Sequence, residues 1–251
     1  MTPTPIERRG DIWIKRDDLF EYGGVAGGKV RTCVALARGA KGLITAGSRQ
    51  SPQVNIVAHI AAAQGIPARL HVPAGALTPE LNDALHCGPN VHLIQHRPGY
   101  NSVIVARAIE DAAARRDYTY IPFGMECPEA VRQTAGQVVD LPEGIKRIVM
   151  PVGSGMSLAG VLAGLGDRWI TVVGVRVGAN PDKRLDSYAP LWRLMPRLFF
   201  VDAGIDYHKP APVTEYHGLK LDPIYEAKCL PFLEPDDLLW VVGIRKTAQS
   251  A

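Results

Sequence analysis

Long apolar runs are missing from this 251-residue chain, so no segment of it is expected to span a bilayer. Cysteine is scarce. Cys33, Cys87, Cys127 and Cys229 lie too far apart for metal-ligand spacing and are too few for a disulfide scaffold. Reduced, partly buried thiols and no bound metal are the expectation. An excess of one charge is lacking too: 28 basic residues against 25 acidic ones give +3, too little to argue for nucleic acid by bulk charge. Pairs such as Arg115-Arg116 read as solvated helix ends. The opening residues, Met1-Thr2-Pro3-Thr4-Pro5-Ile6-Glu7-Arg8-Arg9, have no apolar core of the signal-peptide kind, and a cytosolic protein is expected. There is no internal repeat and no low-complexity tract.

What is present is an ordinary globular composition, 47% hydrophobic and 21% charged. Apolar runs suited to buried strands alternate with alanine-rich stretches of helical period, which predicts an α/β fold with mainly parallel sheets. Strands are expected at Leu43-Ala46, Arg69-Val72, Val91-Gln95 and Thr119-Phe123, with helices over Val54-Gln64 and Tyr100-Arg116. A second set follows, with a helix at Pro128-Val139, strands at Arg147-Val152, Ile170-Val177, Leu198-Asp202 and Leu238-Val242, and a helix at Met156-Leu165. The expected organisation is a large domain of residues 1–37 plus 126–251, interrupted by a small α/β domain at 38–125. Residues 180–223, rich in proline and aromatics, are expected to be irregular.

Four constellations carry chemistry. Gly27-Gly28-Lys29-Val30-Arg31 puts Lys29 in the first turn of a short apolar helix, where exposed N–H groups and the macrodipole disfavour a cation. A lysine tied up as an imine avoids part of that penalty, although a glycine-flanked lysine also reads as a solvated loop residue. Gly153-Ser154-Gly155-Met156-Ser157-Leu158-Ala159-Gly160 follows a strand and opens a helix, an arrangement that cradles phosphate and equally serves tight strand-to-helix packing. It matches neither the Walker pattern nor the dinucleotide fingerprint. Ser51-Pro52 reads as a helix cap, with Gln53 on the same turn at the sheet edge where ligands of open α/β sheets bind. Leu221-Asp222-Pro223-Ile224-Tyr225 reads as a capped helix start, with Tyr225 and Lys228 on one face.

In this order the motifs resemble those of the fold-type II pyridoxal-phosphate enzymes, specifically the branch of 1-aminocyclopropane-1-carboxylate deaminase and D-cysteine desulfhydrase. Lys15-Arg16-Asp17-Asp18 corresponds to that branch's lysine-arginine-acidic-acidic stretch, and Gly28-Lys29-Val30-Arg31 to its glycine-asparagine-lysine-x-arginine motif. Ser51-Pro52-Gln53, the Gly153 to Gly160 loop and Leu221 to Tyr225 match the remaining three, and the likeness runs from about Thr4 to Gly243. The resemblance implies two three-layer units of the tryptophan-synthase-β kind, a homodimer, and pyridoxal 5'-phosphate held by Lys29 as a Schiff base. It further implies that Lys29 acts as general base once released, that Gly153, Ser154, Gly155, Met156 and Ser157 hold the phosphate, and that Ser51 and Gln53 face the substrate. The implied activity is that of a lyase or deaminase which labilises a Cα bond of a small amino-acid-like substrate.

The chain departs from the family pattern at specific places. Pro52 stands where the family has an asparagine on the pyridine phenolic oxygen, and Asn55 or Gln53 is the expected substitute. Gly28 replaces the asparagine before the lysine, and Gly243-Ile244 stands for a glycine pair. The region around 178–220, shorter than is usual in the family, is expected to supply an active-site tyrosine and the partner of the pyridine nitrogen, with Tyr207, Thr214 and Glu215 as candidates. A shortened large domain also suits a substrate linked to a larger carrier or a nucleobase. The competing readings are a pyridoxal-phosphate-binding protein without turnover, and a nucleotide-binding α/β domain that leaves Lys29 unexplained.

Overall fold

The computed structural model describes residues 2–178 and 180–243, and the chain divides into two compact units, Glu21–Glu129 and Met1–Phe20 with Ala130–Ala251. In the Glu21–Glu129 unit a short hairpin, β3 (Glu21–Tyr22) and β4 (Val25–Ala26), leads into helix α1 (Gly28–Leu36). Then come β5 (Gly42–Ala46), α2 (Pro52–Ala63), β6 (Ala68–Pro73), α3 (Pro79–His86), β7 (Val91–His96), α4 (Asn101–Ala113) and β8 (Tyr118–Ile121). The sheet order is β7-β6-β5-β8, with every pairing parallel. Side chains alternate along a strand, so β5 divides its residues between two faces. Ile44 and Ala46 pack with Ile104 and Ala108 of α4, while Thr45 faces α2 through a hydrogen bond from Gln53. Ser51 caps α2, Pro52 occupies its first position, and Gly65 at φ +66 follows its end.

The other unit holds a six-stranded sheet in the order β1-β2-β14-β9-β10-β11. β1 (Ile6–Arg9) and β2 (Ile12–Arg16) form an antiparallel pair, and β9 (Arg147–Val152), β10 (Thr171–Arg176), β11 (Leu198–Asp202) and β14 (Leu238–Val241) extend it in parallel. Helices α5 (Pro128–Ala135), α6 (Met156–Leu165) and α7 (Asp182–Tyr188) belong here, together with the hairpin β12 (Glu215–Tyr216) and β13 (Leu219–Lys220). Ile148, Met150, Val152 and Trp240 pack with Leu158, Val161 and Leu162 of α6. Val149, Val173, Val175 and Leu239 pack on the opposite face with Ala227 and Cys229, from a 3-10 segment at Glu226–Phe232. Among the described residues that second face is covered by 3-10 and irregular structure rather than an α-helix.

The parallel α/β class read from the sequence is the fold observed, and three details differ from expectation. The units part at 20/21 and 129/130, not at 37/38 and 125/126, because α1 packs on α2 and on the β3–β4 hairpin and so travels with the smaller sheet. Residues 180–223 contain α7 and the β12–β13 hairpin. The helix expected to start at Leu221–Tyr225 is instead a turn at residues 223–225 followed by a 3-10 segment, Glu226–Phe232, with Pro231 inside it. No helix among the described residues is long and apolar enough to cross a membrane. All four cysteines are free thiols, three of them buried, and burial pushes the Cys33 and Cys229 thiols up.

Helices α5 and α6 meet at two glycines. A side chain at Gly160 would run into Thr134, whose Cγ2 lies 2.8 Å from the position of an added Cβ, and one at Gly164 would come within 2.6 Å of the Ala135 carbonyl oxygen. Gly160→Leu is therefore expected to destabilise the protein by about 1–3 kcal/mol through overpacking, read as a lowered midpoint in urea.

Candidate active site

The carboxyl-terminal edge of the six-stranded sheet carries one group of candidate residues. β9 ends at Val152 and α6 begins at Met156, so Gly153-Ser154-Gly155 turn over that edge. Gly155 adopts φ +91 as the N-cap, and no side chain caps the helix, which leaves first-turn N–H groups available to an anion. Glycine suits position 153, since a Cβ there would stand 3.0 Å from the Tyr225 ring, a tight contact. Gly178, just past β10, comes equally close, with its added Cβ 3.2 Å from the Gly153 Cα and 3.6 Å from the Tyr207 ring. The Tyr207 and Tyr225 hydroxyls are 2.8 Å apart. The expected residues Gly153 to Ser157 and Tyr207 are thus brought together, with Tyr225 between them. Alongside lies a pocket of about 410 Å³ lined by Arg176, Gly178, Asn180, Asp202, Asp206 and Tyr207.

Glu226, which sequence reasoning missed, is wholly buried at the same edge. Its Oε1 accepts from the Val242 and Gly243 N–H groups, immediately past β14, at 2.9 and 3.1 Å. Its Oε2 is buried with no hydrogen-bond partner among the described residues. Burial, reinforced by the Asp222 carboxylate, pushes the Glu226 acid up to about 7 against the pull of the two backbone donors. Asp222 itself caps the turn, accepting from the N–H groups of Ile224 and Tyr225 at 2.8 and 3.0 Å, and so presents Tyr225 to Gly153. Lys228, expected on one helix face with Tyr225, is buried. Its ammonium donates to the carbonyls of Asp206 and Tyr207 at 2.9 and 3.3 Å, fixing the Tyr207 loop, and desolvation lowers its pKa.

Thr214 and Glu215 do not join this cluster. They are exposed on the β12 arm, whose neighbour Tyr216 donates to Asp11 at the start of β2, the amino-terminal end of the parallel strands. The acidic group at the carboxyl edge is Glu226 instead. A glutamate inside an Ala-Lys-Cys stretch gives no local signal of burial, because the burial comes from β14.

The Glu21–Glu129 unit carries a second group. Gly27, at φ +118, precedes α1, and Lys29 is the second residue of that helix, half-buried, in a first turn that has no acidic residue and no side-chain cap. Ser51 Oγ accepts from the Gln53 N–H at 3.3 Å as the cap of α2. The Gln53 side chain turns inward, where its amide donates to Thr45 Oγ1 and to the Pro122 carbonyl, both at 2.8 Å, and its Oε1 is buried and unpartnered. Asn55 donates to Asp83 of α3 at 2.7 Å, and Asp83 also binds His59 Nε2 at 2.9 Å. Asn55 is therefore engaged on the α3 side, one helical turn beyond the cap.

The Lys15 to Asp18 stretch is a structural brace. Lys15, fully buried, donates to the Thr4 carbonyl at 2.7 Å and pairs with Asp140. Arg16 forks onto Asp18 and reaches Glu7. Asp17 accepts from Thr4 and, through its other oxygen, from the Trp240 indole. Gly243, at φ +62, passes so close to Asp18 that an added Cβ would lie 2.5 Å from its Cα. Ile244 lies outside the described residues.

Solved structures share this architecture. An ACC deaminase homologue superposes with a TM-score of 0.76 at 23% identity, covering 97% of this chain and 90% of its own. The processed form of threonine deaminase isoform 2 from Solanum lycopersicum gives 0.68 at 16% identity over 98% and 80%, and a serine racemase from maize 0.64 at 16% over 97% and 89%. No curated protein matches the sequence. The family model described as "Pyridoxal-phosphate dependent enzyme" matches residues 2–189, well over half the chain. With an uncapped glycine turn at the sheet edge, the chain belongs to the pyridoxal-phosphate-dependent enzymes, and pyridoxal phosphate is its cofactor.

Proposed function

We propose that this enzyme labilises a bond at the α-carbon of an amino-acid-like substrate, with elimination or deamination as the outcome, and that Lys29 and the Gly153 to Ser157 loop serve one cofactor molecule. The observation that carries the reading is the orphaned Glu226 Oε2, an acceptor of high affinity for a proton, buried at the sheet edge that also bears the glycine turn. A cofactor with an anionic tail and a ring nitrogen that carries a proton fits both features.

When bound, pyridoxal phosphate supplies an electron sink that weakens bonds at the substrate's α-carbon. Gly153, Ser154, Gly155, Met156 and Ser157 bind its phosphate through backbone N–H groups and two hydroxyls. Glu226 would hold the ring nitrogen, keeping positive charge on it and strengthening the sink. Lys29 would anchor the cofactor, and its free Nζ would take up or deliver a proton as general base. Ser51 and the first turn of α2 orient the substrate carboxylate. Gln53, anchored at its amide, offers Oε1 as an acceptor behind them. Tyr207 and Tyr225 share a hydroxyl hydrogen and can pass a proton between them.

The names of the structural neighbours include both deaminases and racemases, so product identity is the discriminating measurement. Cofactor-loaded protein in D2O is expected to exchange the α-proton of at least one member of a panel of D- and L-amino acids and to release ammonia and a 2-oxo acid. A protein that binds the cofactor but exchanges no α-proton supports the reading without turnover. The open pocket beside Tyr207 favours a second class of substrate, an amino acid linked to a carrier or nucleobase, so the panel includes both free and linked forms. Cytosolic location and a homodimer complete the proposal, the latter checked by sedimentation.

A further inference from the structure

Arg49 lies in the Gly47–Gln50 loop between β5 and α2, two residues before Ser51, and the roles proposed above leave it without one. Its placement is built from both ends. The Arg49 carbonyl accepts from Thr78 Oγ1 at 2.5 Å, and Thr78 in turn caps α3. The guanidinium Nη1 donates to the Ala76 carbonyl at 2.8 Å. It lies against the backbone of Gly75, where an added Cβ would meet Nη1 at 2.5 Å and Cζ at 2.6 Å. Only a residue without a side chain lets the guanidinium settle there.

The 74–78 loop follows β6 as the 47–51 loop follows β5, and these strands are parallel, so Arg49 bridges two loops at the carboxyl-terminal edge of the smaller sheet. No carboxylate pairs with it among the described residues, in contrast to Arg69, whose guanidinium is held by Asp111. A guanidinium carries five N–H donors, and the bond to Ala76 leaves most of them for a ligand. Its fork geometry suits carboxylate or phosphate oxygens.

We propose that Arg49 is a specificity residue that selects substrates bearing a second anionic group, carboxylate or phosphate, in addition to the α-carboxylate. The inference rests on the reading of Ser51 and the α2 N-terminus as the α-carboxylate subsite. The second anion lies along the same loop, on Arg49. A residue that merely ties the two loops together would affect stability and leave ligand preference unchanged.

The test measures dissociation constants of alanine, aspartate and O-phosphoserine for wild-type protein, Arg49→Met and Arg49→Lys. Changes in the visible absorbance of the cofactor and calorimetry report binding. Wild-type protein is expected to prefer aspartate or phosphoserine over alanine by about tenfold or more, the size of one charge-assisted contact. Which of the two leads separates carboxylate from phosphate. Arg49→Met should keep the cofactor band and lose the preference, and Arg49→Lys, which retains the charge without the fork, should keep part of it. Wild-type protein that binds all three equally or none of them overturns the proposal, as does an Arg49→Met preference equal to wild type. Should Arg49→Met fold poorly, an Arg49→Lys preference equal to wild type, at three or more salt concentrations, overturns the role of the fork. A wild-type protein that takes up no cofactor overturns the underlying functional reading as well, so the two failures are distinguishable.

Discussion

Lys29→Ala is expected to abolish the visible absorbance of the cofactor-loaded protein and to lower turnover by about 10³-fold or more, the consequence of removing the group proposed as both covalent anchor and base. The local structure is the reason. Lys29 is the second residue of α1, which Gly27 opens without a side-chain cap and whose first turn contains no acidic residue. A permanent ammonium there opposes the helix dipole, whereas a lysine that shares its nitrogen with a cofactor carbon does not concentrate charge in the same way. The loss should be specific to chemistry. Gly27 and Gly28 set the backbone, so Lys29→Ala is expected to retain the wild-type thermal midpoint when both proteins lack cofactor. It should still bind pyridoxal phosphate weakly through the Gly153 to Ser157 loop. Difference spectra and equilibrium dialysis check both points.

Glu226→Gln carries the second large effect, and its direction follows from the sign of the shift. The folded acid is raised from an ordinary 4.5 to about 7, so the native state binds the proton more tightly than the unfolded chain does. The associated stability is complete below about 4.5 and is lost as pH rises through about 7, up to on the order of 3 kcal/mol. Cofactor-free protein is therefore expected to become less stable between pH 4.5 and 7, a slope that Glu226→Gln flattens. On the proposed function the cofactor's ring N–H would pair with the buried carboxylate, so the same slope should shrink in the loaded wild-type protein. Turnover of Glu226→Gln should fall about a hundredfold, the scale associated with losing one preorganised polar contact to developing charge. Urea midpoints across that pH range, with and without cofactor, separate the stability effect from the catalytic one.

Much of the fold is legible in local pattern because parallel strands leave continuous apolar runs and their crossover helices leave a clear period. Val149, Met150 and Val152 on β9, or Ile44 and Ala46 on β5, announce themselves in this way. The glycine turn at Gly153 and the cap at Ser51 are visible for the same reason: conformational demands on glycine, serine and proline are local. Glu226 and Lys228 leave no such trace, since their burial arises from β14 and from the 206–207 carbonyls, both distant in sequence. The hydrogen bond from Asn55 to Asp83 is not legible because Asp83 belongs to α3, a helix the periodicity does not reveal. Thr214 and Glu215 are attractive by residue type alone, and the exposed hairpin arm that carries them has no strong sequence signature. The boundary at Phe20 shows the same limit, because the packing of α1 on α2 decides it.

Borohydride reduction of the cofactor-loaded protein, followed by proteolysis and mass spectrometry, tests the central claim most directly. A reduced phosphopyridoxyl group on the peptide that contains Lys29, at a stoichiometry of about one per chain and diminished by Gly153→Val, is the predicted result. A label on another lysine, or stoichiometric cofactor with no label on Lys29, contradicts it.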